Sequence, residues 1–575
     1  MTNRKFFLIL ILFLALILRV WGISSYPVGF TQDEASLGYD AYSLLHTSKD
    51  QWGENWPLVF RSFGDFKLPL YSYLAIPSVA VFGLNEFSVR LPNALMGTLA
   101  VLVIYLMVGE LFRYRNKSLF TNHQIELLSV TAAFLLAISP WHISLSRGAF
   151  EANLTTLFIP LGVWAFLRGI EKPKWMILAA VSFGLNLFSY HAARLFTPVV
   201  VVLLLMFFQK GAGLSLINRI KFFLNRYKVF SFIFLIFFSI TVLTVIFGGA
   251  GKRGADILIS NPTDKWVAVS DRRYEAVLLG LPDQIARIYS NKVTYVVNLF
   301  LKNYFSYLSP YFLFFQGAGE WSYGMIPGRG VMYTFELIFA ILALISFIRK
   351  KDFYPLGFIF LWILLSPLAP AITKGPGYAA NRIAVMIPAI VTFSAYGFVV
   401  LSDYLKEKLS KKMFRLIILG VIGPVFLFSF LAFAEDYLFH APFKAAEAMH
   451  YGMKDAVFYV GSVERKFDEI RFSRSFSVPH ISVAFYNQWD PIDYQNASKD
   501  WLVYQEKGFS YLDQMEGYRL GEYTFGSLDI SASRGKRGIL LVGKPAEFPI
   551  DVVAEKIVYF PNGTPAVKIV KGDSL

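Results

Sequence analysis

The sequence predicts a polytopic all-α membrane bundle of about eleven spans, followed by a C-terminal α/β domain outside the membrane. Three observations lead there. Of 575 residues, 55% are hydrophobic and 17% charged, with a mean hydropathy of +0.49. A water-facing surface needs about 25% charged residues or more, so much of this surface must face lipid. Apolar runs near the ~20 residues that cross a bilayer recur as far as residue 434. Residues 435–575, by contrast, have an ordinary polar composition. The absence of cysteine excludes a disulfide scaffold, thiolate metal sites, iron–sulfur clusters and a cysteine nucleophile.

The spans are expected at about 6–23, 89–112, 125–142, 152–168, 175–190, 195–209, 229–248, 331–348, 354–372, 383–401 and 415–434. The first is read as an uncleaved span rather than a signal peptide. No small-residue cleavage site precedes Ser24, and Arg19 and Trp21 suit an interface anchor. Basic residues concentrate in alternate loops: Arg4 and Lys5; Arg113, Arg115 and Lys117; Arg168, Lys172 and Lys174; Lys210 to Lys228; Arg349 to Lys351; Lys406 to Lys412. The positive-inside rule makes these loops cytoplasmic. The net charge of +15 is then a topology signal, and nucleic acid is not an expected partner. The transmembrane unit is 1–434, with outer loops 24–88 and 249–330, and the tail 435–575 is extracytoplasmic. Val293–Phe315 reads as amphipathic and interfacial. In the tail, Ala456–Val460, Ile481–Phe485, Gly538–Val542 and Val552–Phe560 read as strands.

Charged groups beside spans are costly and therefore functional candidates. They gather on the outer side: Asp33 and Glu34, Asp65 and Lys67, His142, Arg147 and Glu151, His191 and Arg194, and Arg382. Asp33-Glu34 suits the first turn of a helix, and a carboxylate there can also take a proton from a hydroxyl. Lys67, Arg147, Arg194 and Arg382 singly read as head-group anchors, but together as a pocket for a phosphodiester. Arg147 and Glu151, four apart, are expected on one helix face. His142 and His191 are ordinary hydrogen-bonding partners before they are metal ligands; with Asp65 and Glu151 they form a supporting or metal-holding set. No HExxH, DxD or GxGxxG context is present, which argues against nucleotide-sugar or ATP-driven chemistry.

Asp33-Glu34 after span one, Gly64-Asp-Phe-Lys-Leu-Pro-Leu-Tyr71, Phe82–Pro92, Ser139–Glu151 and Ser189-Tyr-His-Ala-Ala-Arg194 together resemble the polyprenyl-phosphate-sugar-dependent glycosyltransferases of GT-C fold. The likeness is to bacterial relatives of the protein O-mannosyltransferases, glycosyltransferase family 39. It implies Asp33 as catalytic base with Glu34 beside it, and Lys67 on the lipid phosphate, with Leu68 standing where the family pattern has a proline. It implies an acid at Glu151, and more loosely further phosphate contacts from Arg194 and Arg382. The implied partners are a polyprenyl-phosphate-linked sugar, membrane lipid, and an acceptor protein, lipid or envelope glycan. A divalent cation is left open: Asp33, Asp65 and Glu151 could hold one, or cations of the protein could serve instead. The competing readings are a transporter or flippase of lipid-linked sugars and a non-catalytic scaffold for the tail. A transporter needs charge at midplane breaks; a scaffold needs no clustered acids and cations.

Overall fold

The computed structural model describes residues 3–114, 120–208, 216–248, 251, 258–261, 265–350, 354–374 and 379–575. The basic-loop residues Arg115, Lys117, Lys210 and Lys351 and parts of loop 249–330 lie outside the described residues. Every expected apolar run falls on helix. Among the described residues, six helices are long and apolar enough to cross a membrane, or seven if the bent pair Asn122–Ile138 and Pro140–Arg147 counts as one span. That pair bends by 54° at Ser139. Pro140 cannot donate into the preceding turn, and the Ser139 hydroxyl accepts the His142 N–H at 3.3 Å to start a new helix. The run expected to span 125–142 therefore breaks at its end. Trp175–Asn186 and Leu356–Ala371 are apolar but shorter.

Chain reversals sort the helix ends into two groups. At one, Arg168 meets Glu110 at 3.0 Å, Arg113 meets Glu126 at 3.8 Å, and the Tyr114 hydroxyl donates to the Phe208 carbonyl at 2.8 Å. At the other, buried Arg19 donates to the Leu136 and Ala137 carbonyls, and the Asn93 amide donates to the Leu145, Gly148 and Phe150 carbonyls. All ten candidate site residues belong to this second end.

The expected loop 24–88 is itself structured, holding helices Gln32–Thr47 and Leu70–Phe82 and the hairpin of β1 (Phe60–Arg61) and β2 (Phe66–Lys67). The tail holds a six-stranded mixed sheet of β3 (Glu469–Ser473), β4 (Tyr518–Leu520), β5 (Tyr523–Gly526), β6 (Ile539–Gly543), β7 (Lys556–Tyr559) and β8 (Pro565–Lys571), ordered β4-β5-β3-β6-β8-β7. β3 runs parallel to both β5 and β6; the other pairings are antiparallel. Two runs read as strands are helices instead: Ala456–Val460 lies in Met453–Val463, and Ile481–Phe485 in Pro479–Tyr486. Pro479 at the first helical position pre-sets that start. One apolar core joins Leu37, Tyr39, Trp52, Phe63 and Tyr71 of the first loop to Phe472, Phe485, Tyr494, Trp501 and Val542 of the tail. Packing thus continues across residue 434, and the last long helix runs through it to Ala445.

Candidate active site

The helix Gln32–Thr47 starts with a capping box. The Thr31 hydroxyl accepts the Glu34 N–H at 3.2 Å, and the Glu34 carboxylate accepts the Thr31 N–H at 3.1 Å. This fixes Asp33 and Glu34 in the first turn, where successive side chains point about 100° apart. Their surroundings differ accordingly. Glu34 points inward and is wholly buried against Arg90, itself wholly buried, through two bonds at 2.8 and 3.0 Å. Its carboxylate also accepts the Ala149 N–H at 3.0 Å, while Arg90 donates to the Ile23, Pro27 and Gly29 carbonyls. No lone pair of Glu34 faces an open space where a substrate hydroxyl could approach. Glu34, expected beside Asp33 as a catalytic residue, is held by Arg90 and by the Thr31 and Ala149 N–H groups and builds the floor. Asp33 points outward, 49% exposed, and meets the ammonium of Lys67 at 2.5 Å.

Lys67 arrives on the β1–β2 hairpin, closed by the Ser62 N–H on the Asp65 carbonyl at 2.8 Å. His191 donates Nε2–H to the Phe66 carbonyl at 3.0 Å and so steadies the strand next to Lys67. Burial of Lys67 opposes its charge, but the carboxylates of Asp33, Glu151 and Asp65 outweigh burial and hold its pKa above the ordinary value. One 5%-exposed ammonium thus stands among three carboxylates. Glu151 is delivered by the turn after Arg147, which the Asn93 amide grips through the Gly148 and Phe150 carbonyls. The helix ends at Arg147, and Glu151 opens a separate 3-10 turn, so the expected shared helix face does not form.

The other cations are placed differently. Arg147 donates to the Leu18 and Trp21 carbonyls at 2.6 and 2.8 Å and lies over the Tyr437 ring. It closes the C-terminal end of the helix Asn3–Val20, where a cation suits the orphan carbonyls, and its Nε is buried without a hydrogen-bond partner among the described residues. Arg194 donates to the Leu187 carbonyl and the Thr244 hydroxyl, with Nη1 buried and without a hydrogen-bond partner among the described residues. Arg382 donates to the Thr373 hydroxyl at 3.0 Å and the Lys374 carbonyl at 2.5 Å. His142 is fully buried between the Arg19 guanidinium at 2.7 Å and the Thr156 hydroxyl at 2.9 Å. Both ring nitrogens are spent on these neighbours. Among the described residues, the His, Asp and Glu side chains grouped closely enough to hold a metal ion are Glu435, Asp436 and His440, not the set drawn from the sequence. Asp436 there is ion-paired with Arg329.

Two residues escaped the sequence reading. Asn93 has no local signal, because its partners lie more than fifty residues away. His450 follows the last long helix in a left-handed conformation, φ 54°. Burial pushes its imidazole below the ordinary pKa, Asp33 pulls it back, and Lys544 lowers it. The preceding residue, Met449, crosses Gly29, whose positive φ and missing side chain permit that approach; a Cβ there would collide with the Met449 carbonyl.

Comparison with known proteins fits this geometry. Residues 67–242 match the family model of the dolichyl-phosphate-mannose-protein mannosyltransferases, a stretch that opens at Lys67 and includes Glu151 and Arg194. The protein YkcB of Bacillus subtilis (strain 168), provisionally assigned as a mannosyltransferase, is 24% identical over 154 residues. That alignment spans 27% of this chain and 20% of YkcB. Among solved structures, ArnT from Cupriavidus metallidurans in the apo state is 12% identical with a TM-score of 0.54, covering 100% of this chain and 99% of ArnT. ArnT bound to undecaprenyl phosphate is 11% identical with a TM-score of 0.51, covering 98% of this chain and 97% of ArnT. By this architecture and this match, the chain carries the GT-C fold seen in ArnT, and its residues 67–242 are similar to the dolichyl-phosphate-mannose-protein mannosyltransferases.

Proposed function

We propose that the protein transfers a sugar, mannose or a close relative, from a polyprenyl-phosphate donor to an acceptor hydroxyl on the outer face of the plasma membrane. The observation that carries this reading is the Asp33–Lys67 pair: a half-exposed carboxylate held at 2.5 Å by a buried ammonium that also faces Asp65 and Glu151. The basic loops at the opposite end of the bundle support a cytoplasmic position for that end. The N-terminus is then cytoplasmic and the tail outside.

The chemistry needs little else. The bond from the anomeric carbon to the phosphate oxygen breaks, and polyprenyl phosphate leaves with the electron pair. No general acid is required if a cation meets the departing charge, and Lys67 is that cation. Without donor, Lys67 holds Asp33. A donor phosphate that takes over the ammonium releases Asp33, whose carboxylate then accepts the proton of the acceptor hydroxyl as its oxygen bonds to the anomeric carbon. Direct displacement inverts that carbon. Arg194, whose Nη1 has no hydrogen-bond partner among the described residues, is the second group suited to the phosphate. Every step is carried by side chains of the chain itself.

Mass spectrometry of envelope glycoproteins and glycolipids tests the reading in cells lacking the protein and cells restored with wild type or Asp33→Asn. A hexose-bearing species restored by wild type alone is expected; identical profiles in all three strains would overturn it.

A further inference from the structure

The sheet of the tail contains a ligand crevice that the donor chemistry does not use. From β3 the chain passes to the edge strand β4 and back to β5 on one side, and then to β6 on the other; β5 and β6 are both parallel to β3. The strand order therefore switches between β3 and β6. In open sheets with parallel strands, ligands sit outside the carboxyl ends of the strands at such a switch. A cavity of about 370 Å³ lies at that place. Its walls are Ser475, Phe476 and Ser477 after β3, Lys544 after β6, and His450. Phe560 and Pro565 of the β7–β8 hairpin close it.

The chemistry of the walls restricts the ligand. Behind the walls, the Glu547 carboxylate accepts from the Ser473 and Ser475 hydroxyls at 2.5 and 2.7 Å and from the Lys544 N–H at 2.7 Å, and so fixes the wall residues Ser475 and Lys544. Glu447 pairs with Lys544 at the rim at 3.1 Å. A phosphate or carboxylate entering here would meet the Glu447 carboxylate and an ammonium that is already paired with it. Hydroxyl groups suit both the acceptors and the donors present, and the phenyl rings suit the C–H face of a pyranose. The cavity is at the small end of the about 300–1,000 Å³ usual for ligand sites, which fits a single sugar ring better than a peptide. His450 joins this crevice to the site: it lines the cavity, and its neighbour Met449 is packed on Gly29, four residues before Asp33.

We propose that the crevice at the carboxyl ends of β3 and β6 binds the acceptor, and that the acceptor is a sugar of an envelope glycan or glycolipid, presented past His450 to Asp33. The proposal rests on the transferase reading above and names its acceptor. Saturation-transfer NMR tests it without turnover, using the full chain in lipid nanodiscs with methyl hexosides of gluco, manno and galacto configuration, and a Ser/Thr-containing peptide as the competing probe. At least one hexoside is expected to bind, with Kd raised tenfold or more by Lys544→Ala and by Phe476→Ala. Lys544 is a surface residue, so its variant remains informative if Phe476→Ala misfolds. Absence of hexoside binding, affinity unchanged in both variants, or a signal from the peptide alone would overturn the proposal. No donor is present in this measurement, so it fails or stands separately from the activity of Asp33→Asn, which tests the transferase reading.

Discussion

Two ion pairs stand side by side in the first turn of one helix, and they differ in almost every physical respect. Glu34–Arg90 is completely buried, bidentate, and surrounded by backbone donors and acceptors. Asp33–Lys67 has one buried partner and one half-exposed partner. The first pair has nowhere to move and nothing left to bind. The second can exchange partners, because its carboxylate is open to solvent. Two adjacent acids of similar chemistry are thus divided by the 100° step of a helix into a buried brace and a half-exposed carboxylate, the one proposed as the base.

Breaking the brace gives the largest expected effect. Arg90→Leu leaves the Glu34 carboxylate buried without its cation, which typically costs about 3–5 kcal/mol. Thermal unfolding in micelles should show that loss; a melting curve like the wild type would mean that the buried pair adds nothing. Lys67→Ala sharpens the contrast. Removing a charge-assisted contact to phosphate should cost about 2–4 kcal/mol in transition-state stabilisation, roughly 30–1,000-fold in kcat/KM for the donor. Arg147→Ala should instead lower stability by about 1–3 kcal/mol, as helix carbonyls lose their partner, with donor use by the folded protein retained. Equal kinetic effects from both variants would return Arg147 to the donor site.

A smaller effect tests the support beneath helix Gln32–Thr47. Burial raises the Asp50 carboxyl from 3.8 to about 6. Between those values the folded protein keeps a proton that the unfolded chain has released, so stability falls as pH rises through that window. Asp50→Asn removes the titration while keeping an oxygen for the Trp52 and Glu54 N–H groups. It should stabilise the protein by up to about 3 kcal/mol at pH 7.5 and not at pH 3.5, as read by melting temperature at the two values.

The bundle was legible in the sequence because length and apolarity set each helix locally. The helix Leu70–Phe82 escaped, since thirteen residues are too few to mark a span. The short runs at 456–460 and 481–485 were misread because a few consecutive apolar residues fit both a strand and one buried helix turn. Within the site, the residue types were legible and the partners were not. Arg147 and Lys67 are both cations near span ends, and nothing local tells that one closes a helix while the other faces three carboxylates. Glu34 is separated from Arg90 by 56 positions, so its burial is a property of the fold. His450 belongs to no motif; only the crossing of Met449 over Gly29 brings it near Asp33.

The division of labour between the two acids is tested most directly by the turnover of purified Asp33→Asn and Glu34→Gln, corrected for folded fraction. Asn preserves shape but cannot accept the proton, so Asp33→Asn should lower kcat by about 10²–10⁴-fold with melting temperature and donor affinity unchanged. Glu34→Gln should melt earlier, while its folded molecules turn over within about tenfold of wild type. An Asp33→Asn protein that transfers sugar at the wild-type rate, or a stable Glu34→Gln protein that does not, would contradict the assignment of Asp33 as the base.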